Sequence, residues 1–213
     1  MLSARREQAR ALADAIDRAL LRSAAADLQR VLELSQREDA ARAADRVQLR
    51  AKRLAKTHAA QRIHVLAAAG TLILRLYGAA VPADWLYGWC DASVDRSASP
   101  RCAGAGGVIL DGRGREFARV CEPIAEAEPF VAEIAALEAV LRAAAGRREH
   151  ARRIRIYTDC DALVSLWLQR RRDPRLSAVR ALARRLLRFE LRRVPRRHNQ
   201  IAHRLAREAV VES

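Results

Sequence analysis

Three carboxylates are spaced through the C-terminal two-thirds of the chain in settings from which they can reach one point. Asp91 closes the run Trp85-Leu86-Tyr87-Gly88-Trp89-Cys90, Glu133 sits in a strongly helical stretch, and Asp159 closes Ile154-Arg155-Ile156-Tyr157-Thr158. A carboxylate at a strand's end points out of the sheet edge, and one on a neighbouring helix can lean over the same spot. Three oxygen donors with no Cys or His among them suit a hard divalent cation, Mg2+ or Mn2+. Such a centre serves metal-assisted attack on a phosphodiester. Plainer roles stand beside this one: Asp91 as a turn former before Ala92-Ser93, and Glu133 as a surface acid. Glu138 lies roughly 140° around the helix from Glu133 at about 100° per residue, so only one of the two can face the site. Asp161 is placed to cap a helix that begins at Ala162.

The charge of the chain suits a polyanionic substrate. The formal net charge is +15 and the pI is near 11.2, which points to nucleic acid. Residues 1–80 hold 15 Lys and Arg against 8 Asp and Glu; residues 81–146 hold 6 against 10; residues 147–213 hold 19 against 7. An acidic segment followed by a basic one is what a metal site flanked by a phosphate-binding surface requires. An Arg-rich composition with solvated faces is the bland alternative. Cys90, Cys102, Cys121 and Cys160 form no CxxC and no spacing with His that suits zinc, so buried reduced thiols are expected. No secretory or transit segment is evident at the N-terminus, and Val65–Val81, the most apolar stretch, is interrupted and too short to span a bilayer. A cytoplasmic protein is expected.

The elements that must position these residues fall into two regions. Residues 4 to about 67 read as helix, with Leu12, Ile16, Leu20, Ala24, Leu28 and Val31, then Val47, Ala51, Leu54 and His58, at helical spacing. Ser35-Gln36-Arg37-Glu38 fits a capping box. Two long helices folded into a slim hairpin are expected over residues 1–80, with Gly70 to Pro82 as the join. Their narrow, Ala-lined stripes should face each other or a second copy of the chain. Residues 81–213 change pattern. Strands are expected over 85–91, Gly106–Leu110, Arg115–Cys121, Ile154–Asp159 and Phe189–Val194, with Asp111-Gly112-Arg113-Gly114 as a hairpin turn. A helix carries Phe130, Ile134, Leu137 and Leu141 and stops at Gly146. Further helices are expected through Trp167, over Ser177–Leu187 and from Asn199. The order β-β-β-α-β-α-α-β-α describes an α/β fold: a meander followed by crossover units in one mixed sheet.

This order, with acids in these places, resembles the type 1 ribonuclease H family, in its short reverse-transcriptase-like branch. The matching pieces are Trp89-Cys90-Asp91-Ala92-Ser93, Gly104-Ala105-Gly106-Gly107-Val108-Ile109 with Asp111-Gly112, Ala132-Glu133-Ile134-Ala135-Ala136-Leu137, Tyr157-Thr158-Asp159-Cys160, and Val194 through Ala206. No piece is specific alone; together they cover residues 85–210, and residues 1–80 fall outside. The resemblance implies a ribonuclease H-like mixed five-stranded sheet flanked by helices, preceded by the all-α hairpin. It selects Glu133 over Glu138. Where the family usually carries a fourth Asp, this chain has His203, and some short-branch members share that His. An imidazole there is a Mn2+ ligand or proton carrier, or simply an exposed helix residue.

By resemblance, the chain is an endoribonuclease that cuts the RNA strand of RNA–DNA hybrids with two Mg2+ or Mn2+ ions. Asp91 bridges the ions, and Glu133, Asp159 and His203 complete the site. Gly106, in the Gly-rich second strand, would let a nucleic-acid strand come close. Arg196, in the Arg-rich stretch from Arg170 to Arg197, is either a solvated cation or a phosphate contact. His198 and Asn199 either cap the last helix or touch the substrate backbone. The rival reading is a module that holds hybrids or structured RNA without cutting; a weaker third is a helical adaptor with a vestigial domain. No membrane partner is expected, and the N-terminal helices are the candidate surface for a homodimer.

Overall fold

The computed structural model describes residues 2–36, 38–95, 97, 102–125, 128–145, 153–169 and 173–211. The chain divides into two compact units, Met1–Ala80 and Val81–Ser213. The first holds four helices, not the two anticipated: α1 (Leu2–Arg22), α2 (Ala25–Ser35), α3 (Ala40–Thr57) and α4 (Arg62–Gly78). The first break is at Ser23, whose φ of 51° is left-handed and which no Pro or Gly announces. The second belongs to Asp39, whose carboxylate accepts the Ala41 and Arg42 N–H groups and starts α3. Ser35 stays in the last turn of α2 with its Oγ buried and unbonded, so the anticipated capping box does not form; Arg37 lies outside the described residues. The third is at His58, ahead of the 3-10 turn Ala59–Gln61. Gly70 does not begin a join, because α4 runs through it. Leu72, Ile73, Leu74, Leu76 and Tyr77 are all buried, which offsets the cost of about 1 kcal/mol for Gly within a helix.

Within this unit Leu12, Ile16 and Leu20 of α1 and Val47, Ala51 and Leu54 of α3 are buried, and α1, α3 and α4 pack on one another. Asp17 and Arg50 form a two-pronged ion pair between α1 and α3. The Asp17 hydrogen bond raises the Arg50 pKa above its ordinary value.

The second unit is a mixed five-stranded sheet with helices on both faces. Its elements are β1 (Leu86–Asp95), β2 (Cys102–Leu110), β3 (Glu116–Ile124), α5 (Pro129–Ala145), β4 (Arg153–Thr158), α6 (Asp161–Leu168), α7 (Ser177–Ala183), β5 (Arg188–Arg193) and α8 (Gln200–Val211). The spatial order is β3-β2-β1-β4-β5. β2 is antiparallel to β1 and β3, and β4 is parallel to β1 and β5. Gly114, with φ 72°, closes the β2–β3 hairpin, and Asp111 accepts the Arg113 and Arg115 N–H groups. The Gly146 stop expected for α5 lies outside the described residues.

One face of the sheet is covered by α5, whose Ile134, Leu137 and Leu141 pack with Ile109, Ile154, Ile156 and Leu191. On the other face α8 lies directly on β2. A Cβ on Gly106 would stand 2.2 Å from both the Ala202 carbonyl oxygen and the Ala206 nitrogen, and one on Gly104 would stand 2.4 Å from the Ala206 carbonyl oxygen. These glycines therefore seat a helix backbone against a strand. Gly106, expected to let a nucleic-acid strand come close, is buried under α8 in this structure. Among the described residues no helix is long and apolar enough to cross a membrane.

Candidate functional site

The site forms where two strands part. β1 and β4 pair from Leu86–Ile154 to Trp89–Tyr157 and no further. β4 ends at Thr158, while β1 continues to Asp95 against β2 alone. Asp91 lies two residues beyond the last pair, and Asp159 is the first residue after β4. A crevice opens at such a point because the connections from neighbouring strands leave in opposite directions. Two helices complete it from opposite faces. From α5, the Glu133 carboxylate accepts the Ala92 backbone N–H. From α8, His203 Nδ1 comes within 2.7 Å of Asp91 Oδ2. Asp91, Glu133, Asp159 and His203 thus meet at one end of the sheet.

The electrostatics of this end are unbalanced. Asp91 is 4 % exposed. Burial and the charge of Asp159 push its carboxyl up to about 6, against the pull of His203 and Arg196. Burial, then the charges of Asp91 and Asp159, push the Glu133 carboxyl up to about 8, with Arg196 and the Ala92 N–H opposing. Glu133 Oε2 is buried with no hydrogen-bond partner. An orphaned carboxylate oxygen beside two further acids fits a hard divalent cation in donor type and charge. Two of the oxygens are engaged within the protein: Asp91 Oδ2 with His203 and Asp159 Oδ1 with Asn199. Accordingly, among the described residues no three His, Cys, Asp or Glu side chains stand as a ready ligand set.

Asn199 does not cap the last helix with its side chain. It is 1 % exposed. Its Nδ2 donates to the Cys90 carbonyl oxygen at 3.0 Å and to Asp159 Oδ1, tying β1 to the residue after β4. Both neighbours are acceptors, so the amide oxygen must turn away, and Asn199 Oδ1 is buried without a partner. His198 is 2 % exposed. A polar residue ahead of an amphipathic helix signals a cap or a contact; nothing in the sequence showed that this one spans two strands.

Other placements follow from local geometry. Arg196 is exposed and close enough to lower both Asp91 and Glu133. Glu138 pairs with Arg142 along α5, away from the site. Asp161 does not cap α6: the helix begins at Asp161 itself, which pairs with Arg193. Much of the Arg-rich stretch is engaged with acids, as in Arg175–Asp173 and in Arg188 and Arg192 with Glu190; Arg170, Arg171 and Arg172 lie outside the described residues. Among the described residues the four cysteines form no disulfide, and only Cys90 is buried. Its thiol pKa is driven well above the ordinary value, by burial first.

A profile of the reverse transcriptase-like family matches residues 90–209. No curated protein matches the chain. Among solved structures, RNase H1 from the halophilic archaeon Halobacterium salinarum is 25 % identical, with a TM-score of 0.53 over 60 % of this chain and 98 % of that one. The N-terminal RNase H domain of rv2228c from Mycobacterium tuberculosis, solved as a fusion with maltose-binding protein, is 25 % identical, with a TM-score of 0.50 over 60 % of this chain and 95 % of that one. The foamy viral protease-reverse transcriptase, solved with an RNA/DNA hybrid, shares the fold at 15 % identity and a TM-score of 0.51, over 62 % of this chain and 21 % of that one.

Proposed function

Because this chain belongs to the reverse transcriptase-like family of ribonuclease H domains, we propose that it hydrolyses the RNA strand of RNA–DNA hybrids at the split between β1 and β4. The observation that carries this reading is the meeting of Asp91, Glu133 and Asp159 at one end of the sheet with too little positive charge to balance them. A structural role would not leave Asp91 and Glu133 with pKa values raised by burial and by the charge of neighbouring acids; a catalytic centre needs them.

Asp91, Glu133, Asp159 and His203 are the residues that would hold two divalent ions, Mg2+ or Mn2+. When bound, such ions supply a water acidic enough to attack phosphorus and charge to stabilise the departing 3′ oxygen. The rest is the protein's work. Asn199 holds Asp159 in one orientation. Glu133 keeps an oxygen free of any protein partner. Arg196, exposed at the rim, draws the scissile phosphate inward. His203 is a quarter exposed; with Nδ1 on Asp91, its Nε2 is the atom left either to ligate an ion or, in place of that, to hand a proton to the leaving oxygen. Attack with inversion at phosphorus leaves 5′-phosphate and 3′-hydroxyl ends. Choice of the RNA strand comes from contacts to 2′-hydroxyls across the minor groove.

A second reading, a module that holds hybrids or structured RNA without cutting, is favoured by one observation: His203 already occupies Asp91 Oδ2. One experiment separates the two. Purified protein is incubated with an end-labelled hybrid in Mg2+ and then in Mn2+. Cleavage confined to the RNA strand and abolished by Asp91→Asn supports the enzyme. Tight binding with intact RNA in both metals supports the module.

A further inference from the structure

The positive charge of the helical unit is segregated. Residues 1–45 hold 8 Lys and Arg and 8 Asp and Glu, whereas residues 46–80 hold 7 Lys and Arg and no acid at all. The structure divides those 7 cations again. Arg46 pairs with Glu38 and Arg50 with Asp17, and Arg75 sits in the last turn of α4. The remaining four, Lys52, Arg53, Lys56 and Arg62, gather at one corner. Lys52, Arg53 and Lys56 lie within the last two turns of α3, and Arg62 is the first residue of α4. All four are exposed, and among the described residues none has an ion-pair partner. Elsewhere in the unit Arg18, Arg30, Arg46 and Arg50 each have an acid, and the exposed Arg6, Arg10, Arg22 and Arg42, which have none among the described residues, are spread along residues 1–45 among eight acids.

We propose that this α3–α4 corner is a second nucleic-acid contact, one that binds the phosphodiester backbone of the hybrid without reading its sequence. The inference rests on the functional reading above only for the identity of the duplex. Four unpaired cations at one corner complement a phosphate backbone. Residues 1–76 contain no Phe, Trp or Tyr, so bases find no stacking platform and recognition is limited to charge. The corner serves as an electrostatic tether that raises residence on the duplex while the other unit supplies the cleavage site.

The test uses the full chain in EDTA, so that binding is measured without cleavage. Anisotropy of a labelled hybrid across a salt series gives the slope of log affinity against log salt. Replacing Lys52, Arg53, Lys56 and Arg62 together by Gln should lower that slope by about 3 to 4 and weaken binding on the order of 10- to 100-fold at 0.1 M salt. The pair Lys56→Gln/Arg62→Gln should give about half the slope change, so a folding defect in the fourfold variant leaves the test standing. Arg18→Gln/Arg30→Gln, which removes two paired arginines, should leave the slope unchanged. Equal slopes for the wild type and the fourfold variant overturn the proposal. Ile63 is 85 % exposed next to Arg62, so an anionic lipid surface is the competing partner. Phosphatidylserine vesicles bound by the wild type and released by the fourfold variant, with the hybrid slope unmoved, also overturn it. A protein that leaves the hybrid uncut in Mg2+ and Mn2+ but shows the slope change fails the enzymatic reading alone.

Discussion

Two of the charge clusters in this chain are built on opposite rules. In the helical unit, Asp17 and Arg50 meet as equal and opposite groups, each about a quarter exposed and two-pronged in its contact. In the sheet unit, Asp91, Glu133 and Asp159 meet as three like charges with one imidazole and one outlying guanidinium. The first arrangement satisfies both partners within the protein. The second carries an electrostatic penalty that a bound proton or an outside cation relieves. A charge that is balanced internally marks structure, and one that is left unbalanced marks a site.

The strongest way to break that comparison is to remove charge from each cluster in turn. Asp159→Asn should lower hybrid cleavage by at least 10^2- to 10^3-fold, with thermal stability unchanged or raised because a repulsive neighbour of Asp91 and Glu133 is gone. A variant that cuts at the wild-type rate would remove Asp159 from the site. Asp17→Ala should do the reverse. It leaves Arg50 half-buried and unpaired, at a cost of about 1–3 kcal/mol in chemical denaturation, with the cleavage rate per folded molecule unaltered.

pH sharpens the contrast. Glu133 and Asp91 have folded pKa values near 8 and 6, above their ordinary 4.5 and 3.8. Their folded forms favour the proton, so their contribution to stability is full below about pH 4 and is lost as pH rises through 6 and then 8. Metal-free protein should therefore melt at falling temperature across that window. Glu133→Gln should flatten the upper part, and a saturating divalent cation should do the same. A Tm that rises between pH 5 and 8 in EDTA would contradict the assignment. The smallest effect concerns His203. Nitrogen ligands suit Mn2+ better than Mg2+, so activity should favour Mn2+ by several-fold, and His203→Asp should restore Mg2+-supported cleavage. Equal rates in the two metals with a silent substitution would place the imidazole outside the chemistry.

The sequence carried the sheet and its acids because both are local signals: alternating apolar runs, a Gly-rich hairpin turn, and carboxylates at strand ends. What it hid depends on contacts distant along the chain. Gly106 looked like an opening for substrate, yet its reason is Ala202 and Ala206, almost one hundred residues later. Asn199 looked like a cap or a phosphate contact, and its partners are Cys90 and Asp159. Short-range misreadings arose where two signals competed. Ser35 and Glu38 have the spacing of a capping box, but Asp39, one residue on, accepts the Ala41 and Arg42 amides and starts the helix there instead. The turn at Ser23 had no signal, since a left-handed serine is one that tertiary packing imposes.

The glycine seam under α8 has a further consequence, for tolerance to mutation. His203 on α8, and Asn199 just ahead of it, reach the site from a segment whose height above the sheet is set by Gly104 and Gly106, with no room for a methyl group. That seam works as a depth gauge. An alanine at Gly106 changes no charge and no ligand, yet it lifts the helix and draws the imidazole away from Asp91. A chain can thus carry every reactive side chain of a nuclease and still have lost its focus by a single carbon atom, which makes this seam the place to inspect when a relative with intact acids proves silent.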